Sequence, residues 1–217
     1  MNINILNKEN SILNNFIREI RDKNIQQDSL RFRTNIERIG QIMALELSKT
    51  LDYKTVEVQT PLGTAPVNII DEKIVVASIM RAGLPLHNGF LSFFDHAENA
   101  FVSAYRKYID AVNFDIHVEY ISAPNITGKT LIICDPMLAT GGSMELSYKA
   151  LLSHGTPANL HIASVIASQQ ALDFLQKSLP ESTTIWVAAV DATLNDHAYI
   201  VPGIGDAGDL AFGEKID

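Results

Sequence analysis

The chain has 217 residues, which suits one α/β domain with small appended elements. Hydrophobic residues make up 47% of the chain, ample for a buried core, and the net charge of −8 argues against a nucleic-acid partner, whose phosphates would be repelled. A single cysteine, Cys134, excludes a disulfide framework within the chain. Because the sequence also shows no signal-peptide pattern and no apolar run of membrane-spanning length, we expect a cytoplasmic protein without membrane contact.

Residues 1–53 are predicted to be helical and to pack onto the rest of the chain or onto a subunit partner. In the first helix, Ser11 to Asp22, helical spacing predicts a buried face made of Ile12, Leu13, Phe16, Ile17 and Ile20. Asp28 or Ser29 would cap a second helix, whose buried face is Phe32, Ile36, Ile39, Met43 and Leu47. Arg31 and Arg33 lie near its start, where cations are unfavourable, so we expect either a salt-bridged, solvated face or an anionic partner nearby.

Strands are predicted to dominate from residue 54 onwards. The segment 54–60 alternates polar and apolar residues, and 65–70 returns after a turn, which predicts a hairpin. Four short apolar runs bounded by turn formers indicate buried parallel strands, and helical segments alternate with them: Ile74–Ile79, Leu131–Cys134, Leu160–Ala167 and Thr184–Val190. Residues 99–105 and 114–121 predict a strand, a mobile loop and a return strand, which together describe a flap. The fold class is therefore α/β, with a doubly wound, mainly parallel sheet flanked by helices.

The stretch Thr130 to Ser143 predicts a phosphate-and-sugar site. Asp135 ends a buried strand and could accept hydrogen bonds from sugar hydroxyls, and Pro136 stops the strand because it has no N–H to donate. A small-residue loop then opens a helix, whose free N–H groups point at a bound anion. An ordinary strand–turn–helix is the alternative. The predicted site comprises Asp135, Pro136, Met137, Leu138, Ala139, Thr140, Gly141, Gly142 and Ser143.

A second strand–loop–helix unit carries Arg81 between the 74–79 strand and a helix rich in Leu and Phe. Loops at this position of an open α/β sheet bind ligands, and the forked donors of arginine suit a pyrophosphate. An ordinary surface arginine is the alternative.

The segment 191–217 departs from this pattern. Gly203, Gly205, Gly208 and Gly213 are too dense for a regular element, and a long apolar loop of this kind is often functional. A frayed tail is the alternative, although the segment contains side chains that favour burial, namely Tyr199, Ile200, Val201, Leu210 and Phe212.

Three of these stretches, in family order, resemble motifs of uracil phosphoribosyltransferases, within the type I phosphoribosyltransferases. They are I-M-R-A-G-L-P-L at Arg81, D-P-M-L-A-T-G-G-S from Asp135, and Y-I-V-P-G-I-G-D-A-G-D-x-x-F-G from Tyr199. Two departures are Pro136, where the wider family carries a second acid, and residues 107–110, where it carries an acidic run after Arg106.

The resemblance implies a single phosphoribosyltransferase domain over 1–217, with 1–53 as a helical extension and 191–217 as the base-binding segment. It implies transfer of the 5-phosphoribosyl group from phosphoribosyl pyrophosphate to N1 of uracil, giving uridine monophosphate and pyrophosphate in pyrimidine salvage. Arg81, Arg106 and Asp206 would be catalytic and would also bind phosphoribosyl pyrophosphate with the 135–143 loop. Uracil would contact Ile200, Gly205, Asp206 and Ala207.

Further expectations follow from the same resemblance. Mg²⁺ would be the cofactor, held mainly by substrate phosphates and water rather than by protein ligands. The partners would be the small-molecule substrates and further copies of the chain, as a homodimer or higher oligomer. His197 is an alternative acid–base candidate beside a structural role, and Asp209 is expected to stabilise a turn. A sibling enzyme using another base and a non-catalytic regulator that binds the same ligands stay open.

Overall fold

The computed structural model describes residues 1–108 and 114–215, and for residues 104–108 and 114–118 only the backbone is described. The strands in these ranges are β1 (Asn2–Ile5), β2 (Tyr53–Thr60), β3 (Gly63–Ile70), β4 (Ile74–Met80), β5 (Glu98–Tyr108), β6 (Phe114–Ser122), β7 (Thr130–Cys134), β8 (Met137–Leu138), β9 (Asn159–Ser168), β10 (Thr184–Asp191), β11 (Thr193–Leu194) and β12 (Ile200–Val201). The α-helices are α1 (Leu13–Arg21), α2 (Ser29–Ser48), α3 (Leu84–Leu91), α4 (Gly142–Leu151), α5 (Gln169–Ser178) and α6 (Ala207–Phe212).

The main sheet has the strand order β1-β10-β9-β7-β4-β5-β6, and β8 pairs with β9 beside this path. All neighbouring strands are parallel except β6, which runs antiparallel to β5 at the edge. From the adjacent strands β4 and β7, the chain proceeds outward to β5 and β6 on one side and to β9 and β10 on the other. This arrangement is that of a doubly wound sheet. The predicted fold class is confirmed.

Alternate residues of the central strands form two separate cores. Val76 and Ile132 face one cluster, which includes apolar side chains of α1, α2 and α3. Val75 and Ile133 face the other, which includes side chains of α4 and α5. All five residues of β7 are buried, as expected of a parallel strand covered on both faces.

The two predicted N-terminal helices are confirmed as α1 and α2. Asp28 caps α2, because its Oδ1 accepts a hydrogen bond from the Arg31 backbone N–H at 3.0 Å. The Arg31 side chain forms a salt bridge with Glu19 of α1, so the prediction of a salt-bridged face is correct for this residue. The predicted inward residues of α2 are all buried.

Two N-terminal predictions are wrong. Asn2–Ile5 is a strand rather than part of a helix, because it pairs in parallel with β10 at the edge of the sheet. Ile12 is 59% exposed and precedes α1, whose inward face is made by Leu13, Ile17 and Ile20.

Helix α2 lies against both α3 and α6, the helices next to the predicted pyrophosphate and base segments. Gly40 of α2 and Gly89 of α3 meet where the helices cross, and a Cβ on Gly89 would lie 2.3 Å from the Glu37 carbonyl oxygen. Since a side chain at either position would push the helices apart, the two glycines allow this backbone contact.

The predicted hairpin is confirmed as β2 and β3, which pair only with each other among the described strands. The predicted flap strands are confirmed as β5 and β6. Arg106 lies on β5, but its side chain is outside the described part of the chain, as are residues 109–113 between the strands. Of the helices in residues 1–108 and 114–215, none combines the length and the apolar character that crossing a bilayer requires.

Cys134 and Trp186 are both buried. Burial, assisted by neighbouring Asp135, raises the pKa of the Cys134 thiol well above its usual value, which disfavours a reactive thiolate. Trp186 Nε1 donates to His161 Nδ1 at 3.1 Å, and burial lowers the pKa of His161 although Glu72 partly opposes this shift. Burial also lowers the pKa of His87.

These lowered histidine pKa values predict a loss of stability in mild acid. As the pH falls below about 6.5, the unfolded chain takes up protons that the folded chain does not, so the free energy of unfolding decreases until the folded-state pKa values are passed. We expect urea denaturation, followed by Trp186 fluorescence, to give a lower free energy of unfolding at about pH 5.5 than at about pH 7.5. His161→Gln keeps an acceptor for the indole without titrating, so its decrease should be smaller; an equal decrease would contradict this account.

Candidate active site at the carboxyl edge of the sheet

The predicted site segments begin at the carboxyl edge of the sheet. Arg81 follows β4, Asp135 follows β7, and the C-terminal segment begins where β10 ends at Asp191. Because these strands are parallel, their carboxyl ends meet at one edge, where ligands bind in open α/β sheets.

The predicted phosphate loop joins β7 to α4. Gly141, with φ +85°, is the N-cap residue of α4. Because glycine has no side chain, it cannot accept a hydrogen bond from the N–H groups of the first turn. A concavity beside this end is lined by loop residues, including Asp135, Thr140 and Ser143. The arrangement can receive an anionic group at the helix N-terminus.

The loop is more regular than predicted, because β8 continues the sheet after Pro136. The Pro136 carbonyl accepts hydrogen bonds from Val165 and Ile166 N–H at 3.1 and 2.9 Å, and Met137–Leu138 pair with β9. Leu138 is buried, so its side chain belongs to the core and only its backbone is available to a ligand. The Met137 N–H donates a hydrogen bond to Asp135 Oδ1 at 3.4 Å, and this contact stabilises the turn.

The Arg81 loop packs directly against the end of β7. A Cβ on Gly83 would lie 2.6 Å from the Cys134 carbonyl oxygen and equally close to that of Ile79. Such a contact is too short for any side chain, so glycine is required where the Arg81 loop meets the end of β7.

The Arg81 side chain extends in turn to the C-terminal segment. Its Nη2 donates to Asp209 Oδ1 at 3.2 Å and to the Gly213 carbonyl at 3.1 Å. Its Nε is buried and has no hydrogen-bond partner within the described part of the chain. A buried, unpaired N–H is unfavourable, and an oxygen atom of a bound anion could satisfy it. Asp209 was expected only to stabilise a turn, and this ion pair is an additional contact.

The C-terminal segment has more regular structure than its glycines predict. β11 and β12 form a short antiparallel pair, and Gly208 lies within α6, so the expectation of no regular element is wrong. Asp206 caps α6 by accepting from the Asp209 N–H at 3.0 Å. Of the side chains expected to favour burial, Ile200 is buried, whereas three are largely exposed: Tyr199, Val201 and Phe212.

The phosphate loop and the base segment lie against a common apolar cluster. Ile200, Ile204 and Ala207 are buried in this cluster, and Met137 and Ala139 of the loop pack against it. Because Ile200 and Ala207 have buried side chains, the groups they can offer to a base are backbone N–H and C=O. Gly205 is exposed between them.

His197 is exposed on the turn between β11 and β12, where its backbone N–H donates to Asn195 Oδ1 at 3.0 Å. This contact fits the structural alternative for the residue. The Arg106 side chain, predicted to face the pyrophosphate, lies outside the described part of the chain.

Arg21 and Arg33 hold the base segment from the N-terminal helices, but sequence reasoning missed Arg21 and singled out Arg33 without identifying its partner. Arg21 forms a bidentate ion pair with Asp191 and also donates to the Gly203 carbonyl. Arg33 donates to the Ala211 carbonyl at 2.6 Å. Sequence spacing could not identify these pairs, because each joins residues about 170 positions apart or more.

Among the residues whose side chains are described, no three His, Cys, Asp or Glu residues cluster as a metal site would require. Mg²⁺ commonly keeps several waters and binds through substrate phosphates with one or two carboxylates, so its binding does not require such a cluster.

Comparison with known proteins agrees with this geometry. A family model described as uracil phosphoribosyltransferase matches residues 8–214. A Porphyromonas gingivalis protein named uracil phosphoribosyltransferase is 61% identical over 211 residues, which cover 97% of this chain and 98% of the relative.

Solved structures show the same architecture. An Aquifex aeolicus protein structure is 29% identical, covers 99% of this chain and 100% of its own, and superposes with a TM-score of 0.87. A hypoxanthine phosphoribosyltransferase from Staphylococcus aureus shares the fold at 14% identity, with 73% and 74% coverage and a TM-score of 0.50. From the near full-length match to the family model and to the Porphyromonas relative, the chain belongs to the uracil phosphoribosyltransferase family.

Proposed function

We propose that this chain transfers the 5-phosphoribosyl group of phosphoribosyl pyrophosphate to N1 of uracil, giving uridine monophosphate and pyrophosphate. One observation carries the proposal beyond family membership. The Arg81 loop packs through Gly83 against Cys134, the residue immediately before the phosphate loop, and contacts the base segment through Asp209 and Gly213. A single ligand that joins a pyrophosphate, a ribose phosphate and a base would need such a connected site.

The reaction places opposite charges on the two parts of the breaking bond. As the C1–O bond of the substrate breaks, positive charge develops on the ribose ring and negative charge on the leaving pyrophosphate. Arg81 is a permanent cation at this position, and the α4 N-terminus would hold the 5-phosphate. Mg²⁺, bound through the substrate phosphates, would add further neutralisation of the leaving group. Catalysis is then chiefly positioning and electrostatic stabilisation, without a covalent enzyme intermediate.

The base segment would recognise uracil through its backbone. Uracil presents an acceptor–donor–acceptor edge, and peptide N–H and C=O groups near Ile200, Gly205 and Ala207 can match it. A base with a different edge would leave a buried polar group unpaired, which supplies the selectivity. Asp206 would orient N1 or accept its proton.

The activity is tested by incubating the protein with labelled uracil, phosphoribosyl pyrophosphate and Mg²⁺. Labelled uridine monophosphate is the expected product, and excess unlabelled hypoxanthine should not reduce its yield. Absence of product over a full range of Mg²⁺ concentrations would reject the proposal. Competition by hypoxanthine would instead indicate a purine-using sibling enzyme.

Asp206 offers a matched pair of variants, because its side chain both caps α6 and carries a charge. Asp206→Asn keeps a good cap and removes the charge, so we expect unchanged thermal stability with kcat lowered by roughly 10²–10⁴-fold. Asp206→Ala should lose the same activity and also about 1 kcal/mol of stability. Full turnover in the Asn variant would show that only the cap matters.

The substrate should readily displace Asp209 from its ion pair with Arg81. The two side chains are 34% and 36% exposed, and such pairs contribute about 0–1 kcal/mol. Asp209→Asn should therefore change KM for phosphoribosyl pyrophosphate by less than about fivefold. Arg81→Lys keeps the charge but loses the forked donors, so its KM should rise about tenfold or more in initial-rate measurements at saturating uracil. An unchanged KM in Arg81→Lys would contradict the assigned role.

We also infer that the chain forms a homodimer or higher oligomer through the β2–β3 hairpin and, from family membership, that it is cytoplasmic. Val58, Val67 and Ile69 share one face of this ribbon and are 40–42% exposed, so a second copy would cover apolar surface there. Val67→Glu should increase the monomer fraction in light-scattering measurements, whereas Thr55→Glu on the opposite face should not. Equal effects of the two variants would contradict this assignment.

A further inference from the structure

The N-terminal helices hold the backbone of the base segment with charged side chains. Arg21, the last residue of α1, donates to the Gly203 carbonyl at 3.1 Å. Arg33 of α2 donates to the Ala211 carbonyl at 2.6 Å, and its guanidinium lies 5.9 Å from the centre of the Phe212 ring. These contacts lie on either side of residues 205–207, the remaining part of the predicted uracil wall.

The contact at Gly203 is the more constrained of the two. Arg21 Nη1 and Nη2 each lie 2.8 Å from an oxygen of Asp191, and Asp191 Oδ2 accepts the Gly203 N–H at 2.9 Å. One ion pair therefore binds both the N–H and the C=O of Gly203. Asp191 is only 8% exposed and ends β10, so the ion pair connects the turn to the sheet.

The Gly203 turn requires glycine at its centre. Gly203 has φ +58°, and a Cβ there would lie 2.1 Å from the Ile200 carbonyl oxygen. Gly203 lies between Ile200 and Gly205, and the Arg21–Asp191 pair holds it against the sheet and α1.

We propose that Arg21 and Asp191 are positioning residues for uracil recognition, an inference that rests on the proposed function. Neither side chain needs to touch the base. They hold the 200–205 turn in the geometry in which its peptide groups meet the pyrimidine edge. Without them, a glycine-rich segment would have to be ordered at each binding event, and that entropy cost weakens binding. Base affinity, rather than affinity for phosphoribosyl pyrophosphate, depends on the pair.

The chain contains a matched control for this proposal. Arg31 of α2 also forms a bidentate pair, with Nε and Nη2 donating to Glu19 at 2.9 and 2.7 Å. The Arg31–Glu19 pair joins α2 to α1, whereas the Arg21–Asp191 pair joins α1 to the sheet. Arg31→Lys and Arg21→Lys therefore remove the same kind of interaction, and only the second removes a contact with the base segment.

The kinetic test compares the two lysine variants in the full-length protein. Arg21→Lys should raise KM for uracil about tenfold while KM for phosphoribosyl pyrophosphate stays within about twofold. Arg31→Lys should leave both KM values within about twofold. A merely structural role for Arg21 would lower the active fraction, and thus kcat, without changing either KM, and that result would overturn the proposal. If Arg21→Lys does not fold, Asp191→Asn replaces it, with the same expected rise in KM for uracil.

A second measurement separates this proposal from the proposed activity. Amide hydrogen exchange in residues 200–207 should become faster in Arg21→Lys than in Arg31→Lys or the unchanged protein. Equal exchange rates in all three would overturn the positioning role. An unchanged protein that makes no uridine monophosphate would instead reject the proposed function, and exchange would still decide whether Arg21 orders the segment.

Discussion

The close contact between the Arg81 loop and the end of β7 is the constraint on which the site depends. Parallel pairing of β4 with β7 places their carboxyl ends side by side, and Gly83 lets the Arg81 loop approach the backbone of Cys134, immediately before the phosphate loop. Arg81 is thereby fixed relative to the phosphate loop. Its guanidinium then reaches Asp209 and Gly213, so three segments that are distant in sequence become one site.

The two walls of this site differ in how they are stabilised. The phosphate loop is part of the sheet itself, because β8 and the carbonyl of Pro136 bond to β9. The base segment makes few sheet contacts, and the N-terminal helices hold it through Arg21 and Arg33. The N-terminal region is therefore as much a part of the base site as the glycine-rich segment. In the proposed function, one of these separately anchored walls would bind the charged sugar phosphate and the other the flat pyrimidine.

Much of this arrangement could be predicted from local sequence. Buried strands such as β7, the helical spacing of α2 and the glycine-rich turns are short-range patterns, and their order predicts the sheet. β1 was missed because four residues pair only with a distant strand, and α6 because its glycines suggested irregular structure. The Arg21–Asp191 pair has no local signal at all, since packing of α1 against the end of β10 creates it. Family resemblance supplied the ligand, which no periodicity could identify.

A crystal structure with bound uridine monophosphate tests the central claim most directly, because this product joins a base and a phosphate at a fixed separation. The account predicts that the pyrimidine edge bonds to backbone groups within residues 200–207 while the phosphate lies at the first turn of α4, beside residues 140–143. A nucleotide bound with its base away from the C-terminal segment, or with its phosphate away from α4, would contradict a single pocket formed by these two walls.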